Sequence, residues 1–394
     1  MLFWNCIVLQ QLSSTKMKKK RIVILMSALN GGGAEKVLID YLRNLNYSKY
    51  EVTLCLVINE GVYLKDVPKE VSLGFLYAKF ALFPYRLEHW LSKFLGWNYF
   101  QKRRVETLFK NQKFDVVISF MEGIPLKFHN YFLSKAPKHL TWVHTDLFHD
   151  HYSLSCFKDA ASEQALYQKM NTIIFVSEES KKQFERLYAI SNKKEVIYNI
   201  IDKKNILSHL NEIIPEKQED KINIVAVGRL EVQKRFDRLI DVAKLLKEHS
   251  YSFQIQIIGE GSLRGQLEHQ ITENNVADCI SLKGFVKSPY ALMNESDVVV
   301  ISSETEGFSL VVAEALCLGK AIVSTATAGP IELLANGEYG IICNHTATAL
   351  FEALQSLIND SSKLEKYQKL ALERSLIFDT QKSIVALENC IDNE

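Results

Sequence analysis

Glu306 and Glu314 stand eight residues apart in the segment ETEGFSLVVAEAL, residues 304–316. An apolar run at 298–302 ends just before it, and a helical pattern begins near Ser309. Free backbone N–H groups at a helix start attract phosphate. Glu306 precedes that start and Glu314 lies about one turn inside it. Carboxylates accept pairs of sugar hydroxyls. Two of them on either side of a phosphate-binding turn can hold a sugar and a ribose at opposite ends of a diphosphate. The alternative is a plain helix cap, because acidic residues favour helix N-termini without any ligand, and Glu304 fits that description. Glu314 is set among Val311, Val312, Ala313, Ala315 and Leu316, where a charge needs a partner or a ligand.

Three other segments carry candidate chemistry. In GRLEVQKRFD, residues 228–237, Arg229 and Lys234 follow the glycine that turns the chain off a strand. A guanidinium fork and an ammonium suit a diphosphate; an ordinary loop with two solvated cations reads the same way on charge alone. Gly31, Gly32 and Gly33 follow the first strand and let backbone approach a ligand closely, although they lack the Gly-x-Gly-x-x-Gly spacing of a dinucleotide site. His144, in the segment WVHTD, stands at the carboxyl end of another strand, either facing a cleft or packed as an ordinary histidine. The nearby His149, Asp150 and His151 lack the spacing of a metal site. The chain contains no Asp-x-Asp, so cations and a helix start are expected to replace a metal at any diphosphate.

These loops need strands and helices to hold them. Continuous apolar strands read at 21–29, 51–58, 114–120, 140–143, 172–176 and 195–198, with helices at 35–45 and 178–188. Unbroken short strands alternating with helices indicate a parallel sheet covered on both faces. The alternation fades near Ile200 and restarts with strands at 222–227, 252–258, 280–282, 298–302 and 321–324 and helices between them; residues 347–394 read as helical throughout. The fold expected is α/β, two Rossmann-like domains facing across a cleft. The expected divisions are an N-terminal domain at 17–201, a linker at 202–221, a second domain at 222–375, and a last helix at 376–394 returning to the first. Residues 1–16 are expected to be an over-long reading frame, with Met17 the natural start, because the basic cluster at 16–21 follows the apolar stretch in the wrong order for a secretory signal.

Composition narrows the function classes. The 394 residues exceed one typical core, and the formal net charge of +1 gives no argument for nucleic acid. Seven scattered cysteines form no Cys-x-x-Cys pair. Free thiols in a reducing cytoplasm fit better than disulfides or zinc.

Together, GGGAE, WVHTD, GRLEVQKRFDRLI and EGFSLVVAEAL resemble, in the same order, the motifs of the family 4 retaining glycosyltransferases of the GT-B fold, in the bacterial envelope and capsular polysaccharide group. The resemblance covers nearly the whole chain from Lys18 onward. It implies that Arg229 and Lys234 bind the diphosphate of a nucleotide-sugar donor, a UDP-sugar by analogy. It further implies that Glu306 holds the donor sugar, Glu314 the ribose, and the backbone at Phe308, Ser309 and Leu310 the distal phosphate. Gly32 and Gly33 would admit the diphosphate, His144 would lie near the sugar, and Phe285 and Val286 beside the nucleobase. Neither cofactor nor metal is implied. The segment 199–202 lacks the glycine common at that turn, which blurs the domain boundary. Two other readings share the architecture: a nucleotide-sugar epimerase, and a silent nucleotide-sugar-binding subunit.

The first domain is where such proteins take their saccharide or lipid-linked acceptor. Residues 75–113 hold eleven aromatics and eight Lys or Arg against two acids. Such a mixture suits an anionic membrane surface, and equally an aromatic core with solvated cations. The first reading makes the protein peripheral on the cytoplasmic face of the inner membrane.

Overall fold

The computed structural model describes residues 18–79, 82–210 and 220–393. Residues 1–16, Met17 and residues 211–219 of the linker expected at 202–221 lie outside the described residues.

The first sheet contains β1 (Lys20–Met26), β2 (Tyr50–Ile58), β3 (Ser72–Tyr77), β4 (Val116–Ser119), β5 (Lys138–Val143), β6 (Thr172–Phe175) and β7 (Lys193–Val196). The second contains β8 (Ile222–Val227), β9 (Phe253–Ile258), β10 (Ile280–Leu282), β11 (Val298–Ile301), β12 (Ala321–Thr325) and β13 (Ile341–Cys343). Their orders are β3-β2-β1-β4-β5-β6-β7 and β10-β9-β8-β11-β12-β13. Every named pair is parallel, as in Ile22 opposite both Val52 and Val116, and Val298 opposite Ile224. Both sheets are thus doubly wound with the same reversal of order, between β1 and β4 and between β8 and β11. Ligands bind doubly wound sheets at that reversal, beyond the carboxyl ends of the strands. The two-domain α/β architecture read from the alternation of strands and helices is the one observed.

Burial explains the strands that the pattern revealed. Ile22, Val23, Ile24, Leu25 and Met26 are all buried because helices cover both faces of β1. The two strands without a sequence signal, β3 and β13, are edge strands; β3 reads SLGFLY with Ser72 and Leu73 exposed. The helical tail is three helices, Ala347–Ile358, Ser361–Arg374 and Thr380–Asp392. Asp360 and Asp379 cap the second and third through the backbone N–H groups of Lys363 and Lys382, which is why one continuous pattern breaks there.

The last of these helices lies against the first sheet. Its Ile384, Leu387 and Ile391 are buried. Asp392 accepts a 2.8 Å hydrogen bond from Tyr50 Oη and pairs with Lys20 at 2.8 Å. One apolar core runs through β1, the crossover at Ile197–Ile206, helix Leu310–Cys317 and this helix, so the two sheets share packing behind the cleft. Leu387→Ala is expected to lower the free energy of unfolding by about 2–5 kcal/mol, the range for truncating a buried leucine. Chemical denaturation measures it; a change within the ~0.5 kcal/mol typical of surface positions would mean the helix is not part of this core.

Candidate active site

The loop after β11 carries the two carboxylates, and each meets a lysine. Glu306 is nearly buried; its Oε1 accepts from Lys234 Nζ at 2.5 Å and from Ser303 Oγ at 2.7 Å. Lys234 reaches it from the loop after β8. Glu314 is also buried, and its carboxylate accepts from Tyr290 Oη at 3.2 Å and pairs with Lys36. Lys36 belongs to the other domain, in helix Gly33–Asn44 behind the three glycines. Burial opposes the charge on Lys36, but Glu314 and Tyr290 outweigh it and hold the ammonium above its usual range. Asp40, one turn further along, is pushed up to about 6 by burial, against the pull of Lys36 and Arg43. The partner that Glu314 requires is therefore supplied across the cleft.

Between the two carboxylates the backbone is strained. Ser309 has φ 65° and ψ 89°, the left-handed region, and no side chain caps helix Leu310–Cys317. A non-glycine residue held there costs of order 1 kcal/mol or more, and such residues cluster at ligand sites. Phe308 is buried and packs against Tyr198 and Phe378, so its ring anchors the loop while its backbone remains at the helix start. The chain ahead of it is pressed against the first domain. A Cβ on Gly307 would fall 2.1 Å from the His144 carbonyl oxygen, and Ser177 Oγ donates to the Gly307 carbonyl at 2.7 Å. Glu332 reinforces the closure by accepting from the backbone N–H groups of Glu178 and Glu179 at 3.1 and 2.9 Å, the open start of helix Glu178–Leu187.

His144 is placed by its backbone and its ring. Its N–H donates to Glu122 Oε2 at 2.9 Å, and the ring lies over Trp142 at 5.8 Å and beside Phe120 at 5.2 Å. Burial pushes the imidazole down to about 3, against a weaker opposing effect of the Phe120 backbone. The ring is neutral at physiological pH, and its Nε2 is buried without a hydrogen bond from the protein. A neutral histidine with one open nitrogen can meet a hydroxyl, and it carries no charge to offset a diphosphate.

The glycine turn has a more specific arrangement than its sequence implied. The Glu35 carboxylate accepts from the N–H groups of Gly31 and Gly32 at 2.6 and 2.8 Å, so those amides are already satisfied. Gly33 faces the other domain, where a Cβ would meet Leu310 Cδ1 at 3.3 Å. Arg229 is exposed on the second domain, and its charge reaches Glu35. Phe285 is exposed and Val286 half-buried after β10. In the next residue, Lys287 spans the cleft to Asp66 at 3.5 Å.

Lys234, Glu306, Ser309, Leu310, Glu314, Gly33 and the His144 backbone thus meet at one closed cleft, with Arg229 at its exposed rim. Glu304 is apart from them, bound by Arg235 and Arg238 at 3.1 and 2.9 Å. His149 pairs with Asp146 at 2.7 Å and His151 with Glu163 at 2.8 Å. Among the described residues, no group of three or more His, Cys, Asp or Glu side chains is arranged to hold a metal. Sequence reasoning missed Lys36, Tyr290, Ser177 and Glu122. Lys36 alone left a signal: a cation in the first turn of a helix opposes the macrodipole and is explained by the carboxylate facing it.

Two family models match the chain, one over each domain: Glycosyltransferase Family 4 at residues 31–205 and Glycosyl transferases group 1 at residues 210–374. A Campylobacter jejuni N-acetylgalactosaminyltransferase acting on a diphospho-undecaprenol-linked saccharide is 32% identical over 220 residues, 55% of this chain and 59% of that protein. The chain thus matches about three fifths of the length of that relative. The amylovoran biosynthesis glycosyltransferase AmsD of Erwinia amylovora is 24% identical over 353 residues, 88% of this chain and 92% of that one. Among solved structures, Anabaena HepE in complex with UDP and glucose superposes with a TM-score of 0.77 at 18% identity, covering 95% of this chain and 100% of that one. With a glycosyltransferase model over each sheet and the paired-carboxylate loop seated in the cleft between them, the chain belongs to the family 4 glycosyltransferases of the GT-B fold.

Proposed function

We propose that this protein transfers a sugar from a nucleotide-sugar, a UDP-sugar by analogy, to a saccharide on a lipid carrier during assembly of a bacterial surface polysaccharide, with retention of anomeric configuration and without a metal. The observation that supports it best is the pair of lysine-bound carboxylates, Glu306 and Glu314, on either side of the strained helix start at Ser309. The relatives' substrates, a diphospho-undecaprenol-linked saccharide in one case and amylovoran assembly in the other, favour transfer over epimerisation.

In this reading Glu306 accepts donor-sugar hydroxyls and Glu314 the ribose hydroxyls. Lys234 has three N–H donors, so it can keep Glu306 and still donate to a phosphate oxygen. Arg229, free to swing, offers its planar fork to the same diphosphate. The N–H groups at Ser309 and Leu310 meet the distal phosphate at the positive end of the helix. The neutral His144 offers Nε2 to a sugar hydroxyl, Gly32 and Gly33 border the diphosphate from the first domain, and Phe285 and Val286 border the base. The acceptor hydroxyl attacks the anomeric carbon on the face from which the diphosphate leaves. The carbon–phosphate oxygen bond breaks, and the departing phosphate takes the acceptor's proton. The protein's contribution is positioning and stabilisation of the leaving charge.

The acceptor side has a second support. In helix Leu82–Leu95, Phe83, Leu87, Trp90 and Phe94 form a stripe at helical spacing that faces outward, with Phe83 77% and Trp90 50% exposed. The inward face sets Tyr85 against the core beside two buried polar side chains. Glu88 is buried, accepting from Tyr77 Oη at 2.6 Å and from Arg104 at 2.7 and 3.0 Å, and Ser92 donates to Asn98 at 2.6 Å. Leu95, Trp97, Tyr99 and Phe100 extend the exposed patch. An outward apolar stripe beside exposed Arg86, Lys102 and Arg103 suits an anionic bilayer surface. Among the described residues no helix is long and apolar enough to cross a membrane, so the attachment proposed is peripheral, from the cytoplasmic side. Arg104 does not take part: it is committed to Glu88 and lies over the Tyr77 ring at 4.3 Å. Phe80 and Ala81, in the same stretch, lie outside the described residues.

Arg229→Ala should lower kcat by roughly 100-fold, as for loss of a preorganised charge on a leaving group. Because Arg229 is exposed, thermal stability should change little; near-wild-type turnover would remove it from the diphosphate site. Lys234→Ala should cost at least as much activity and also destabilise the fold, by stranding Glu306. Treatment with EDTA should leave activity intact, and a loss restored only by manganese or magnesium would overturn the metal-free mechanism. Three cations at about 1 kcal/mol each predict roughly hundredfold tighter partitioning to anionic than to neutral vesicles at low salt. Lys102→Glu with Arg103→Glu should weaken that binding, as should Trp90→Ser with Phe94→Ser, while stabilisation by UDP persists. Equal sedimentation with both vesicle types would rule out the electrostatic attachment.

A further inference from the structure

A cavity of about 300 Å³ opens between the domains, lined by residues distinct from those holding the lysine–carboxylate pairs. Asp146 and Glu179 face it from the first domain, and Glu304, Thr305, Thr327 and His345 from the second. Its volume is at the lower end of ligand pockets.

The carboxylates in its wall are already engaged. Asp146 holds His149 and caps the Phe148 N–H at 3.1 Å, Glu179 accepts from Gln183 Nε2 at 2.7 Å, and Glu304 is bound by Arg235 and Arg238. The unsatisfied groups are neutral. Thr305 and Thr327 are each 5% exposed, and the Oγ1 of each is buried without a hydrogen bond from the protein. Such a group costs about 1–3 kcal/mol unless something meets it. Thr327 is the more telling of the two. It stands at the N-cap of helix Ala328–Leu333, where a threonine hydroxyl normally accepts from the helix backbone, yet it makes no such bond. His345 lines the same cavity, with its Nε2 3.0 Å from the Ala326 carbonyl and its Nδ1 3.6 Å from Glu304.

We propose that this cavity is a binding subsite for one neutral saccharide unit of the acceptor. This rests on the transferase reading above. A sugar ring presents hydroxyls that both donate and accept, which matches the two idle threonine hydroxyls. The acidic wall disfavours a phosphate or a uronic acid. Engagement of each carboxylate by a protein cation or amide leaves little for a metal or an amine. Thr305 directly precedes Glu306, so one strand-end loop contributes to both the donor-sugar site and this cavity, and the acceptor unit lies next to the sugar being moved.

Ligand-observed saturation-transfer NMR tests the assignment on the full chain, using glucose, galactose, N-acetylglucosamine, N-acetylgalactosamine and glucuronate at millimolar concentration, with and without saturating UDP. At least one neutral sugar should show transfer that survives UDP, and glucuronate should show none. Thr327→Val should reduce that signal at least several-fold and Thr327→Ser should restore it, with thermal stabilisation by UDP unchanged in both. A signal that UDP abolishes belongs to the donor-sugar site, and no signal from any neutral sugar means the cavity holds solvent; either result overturns the subsite. Absence of UDP stabilisation in the wild type would instead bring down the transferase reading itself.

Discussion

The arrangement depends on two carboxylates that cannot remain buried alone. An isolated ionised carboxylate in a protein interior is costly enough that it must be paired or neutralised. Glu306 is paired within its own domain, by Lys234 from the neighbouring strand-end loop, and Glu314 across the cleft, by Lys36. The first pair lies within one domain and does not need the other. The second joins the two domains and depends on closure. Opening would take Lys36 away from Glu314 and leave it the Tyr290 hydroxyl of its own domain.

Closure brings backbone as well as charge together. Gly307 rests on the His144 carbonyl at a distance that admits no Cβ, and Ser177 and Glu332 add hydrogen bonds from opposite sides. Those contacts hold the loop carrying Ser309 in a left-handed conformation that an isolated chain would avoid. The helix start is thereby set by the protein's own contacts, which is what electrostatic preorganisation of the proposed phosphate site requires. Lys36 occupies the position facing Glu314, where the ribose hydroxyls are proposed to bind, so donor and lysine must share that carboxylate or exchange for it.

The first domain follows the reverse of ordinary burial at one place. Helix Leu82–Leu95 turns Glu88 and Ser92 inward and its aromatic stripe outward. The bidentate Arg104–Glu88 bridge and the Tyr77 hydroxyl satisfy the buried acid, which removes the usual objection to such a helix. The outcome is an apolar face on the domain proposed to take the acceptor, where it can approach a lipid carrier.

The sequence by itself determined the two doubly wound sheets, because strands buried on both faces must be apolar throughout, and that pattern survives without any knowledge of partners. It also marked Glu306, Glu314, Arg229, Lys234 and the helix start between them, since their types and spacing are local. It left β3 and β13 unmarked, two of the four edge strands, where a strand half in solvent keeps a weaker pattern. It could not choose between an aromatic core and an exposed patch at residues 75–113, because composition carries no direction; Glu88 and Arg104 had to meet in space before the helix's inward face was defined. Tertiary structure alone decided that Lys36 answers Glu314, that Glu35 satisfies the glycine amides, that the surroundings of the His144 ring push its pKa down, and that Thr305 and Thr327 face one cavity. Each of these is a contact between residues distant in the chain or a consequence of burial, and neither is encoded in local spacing.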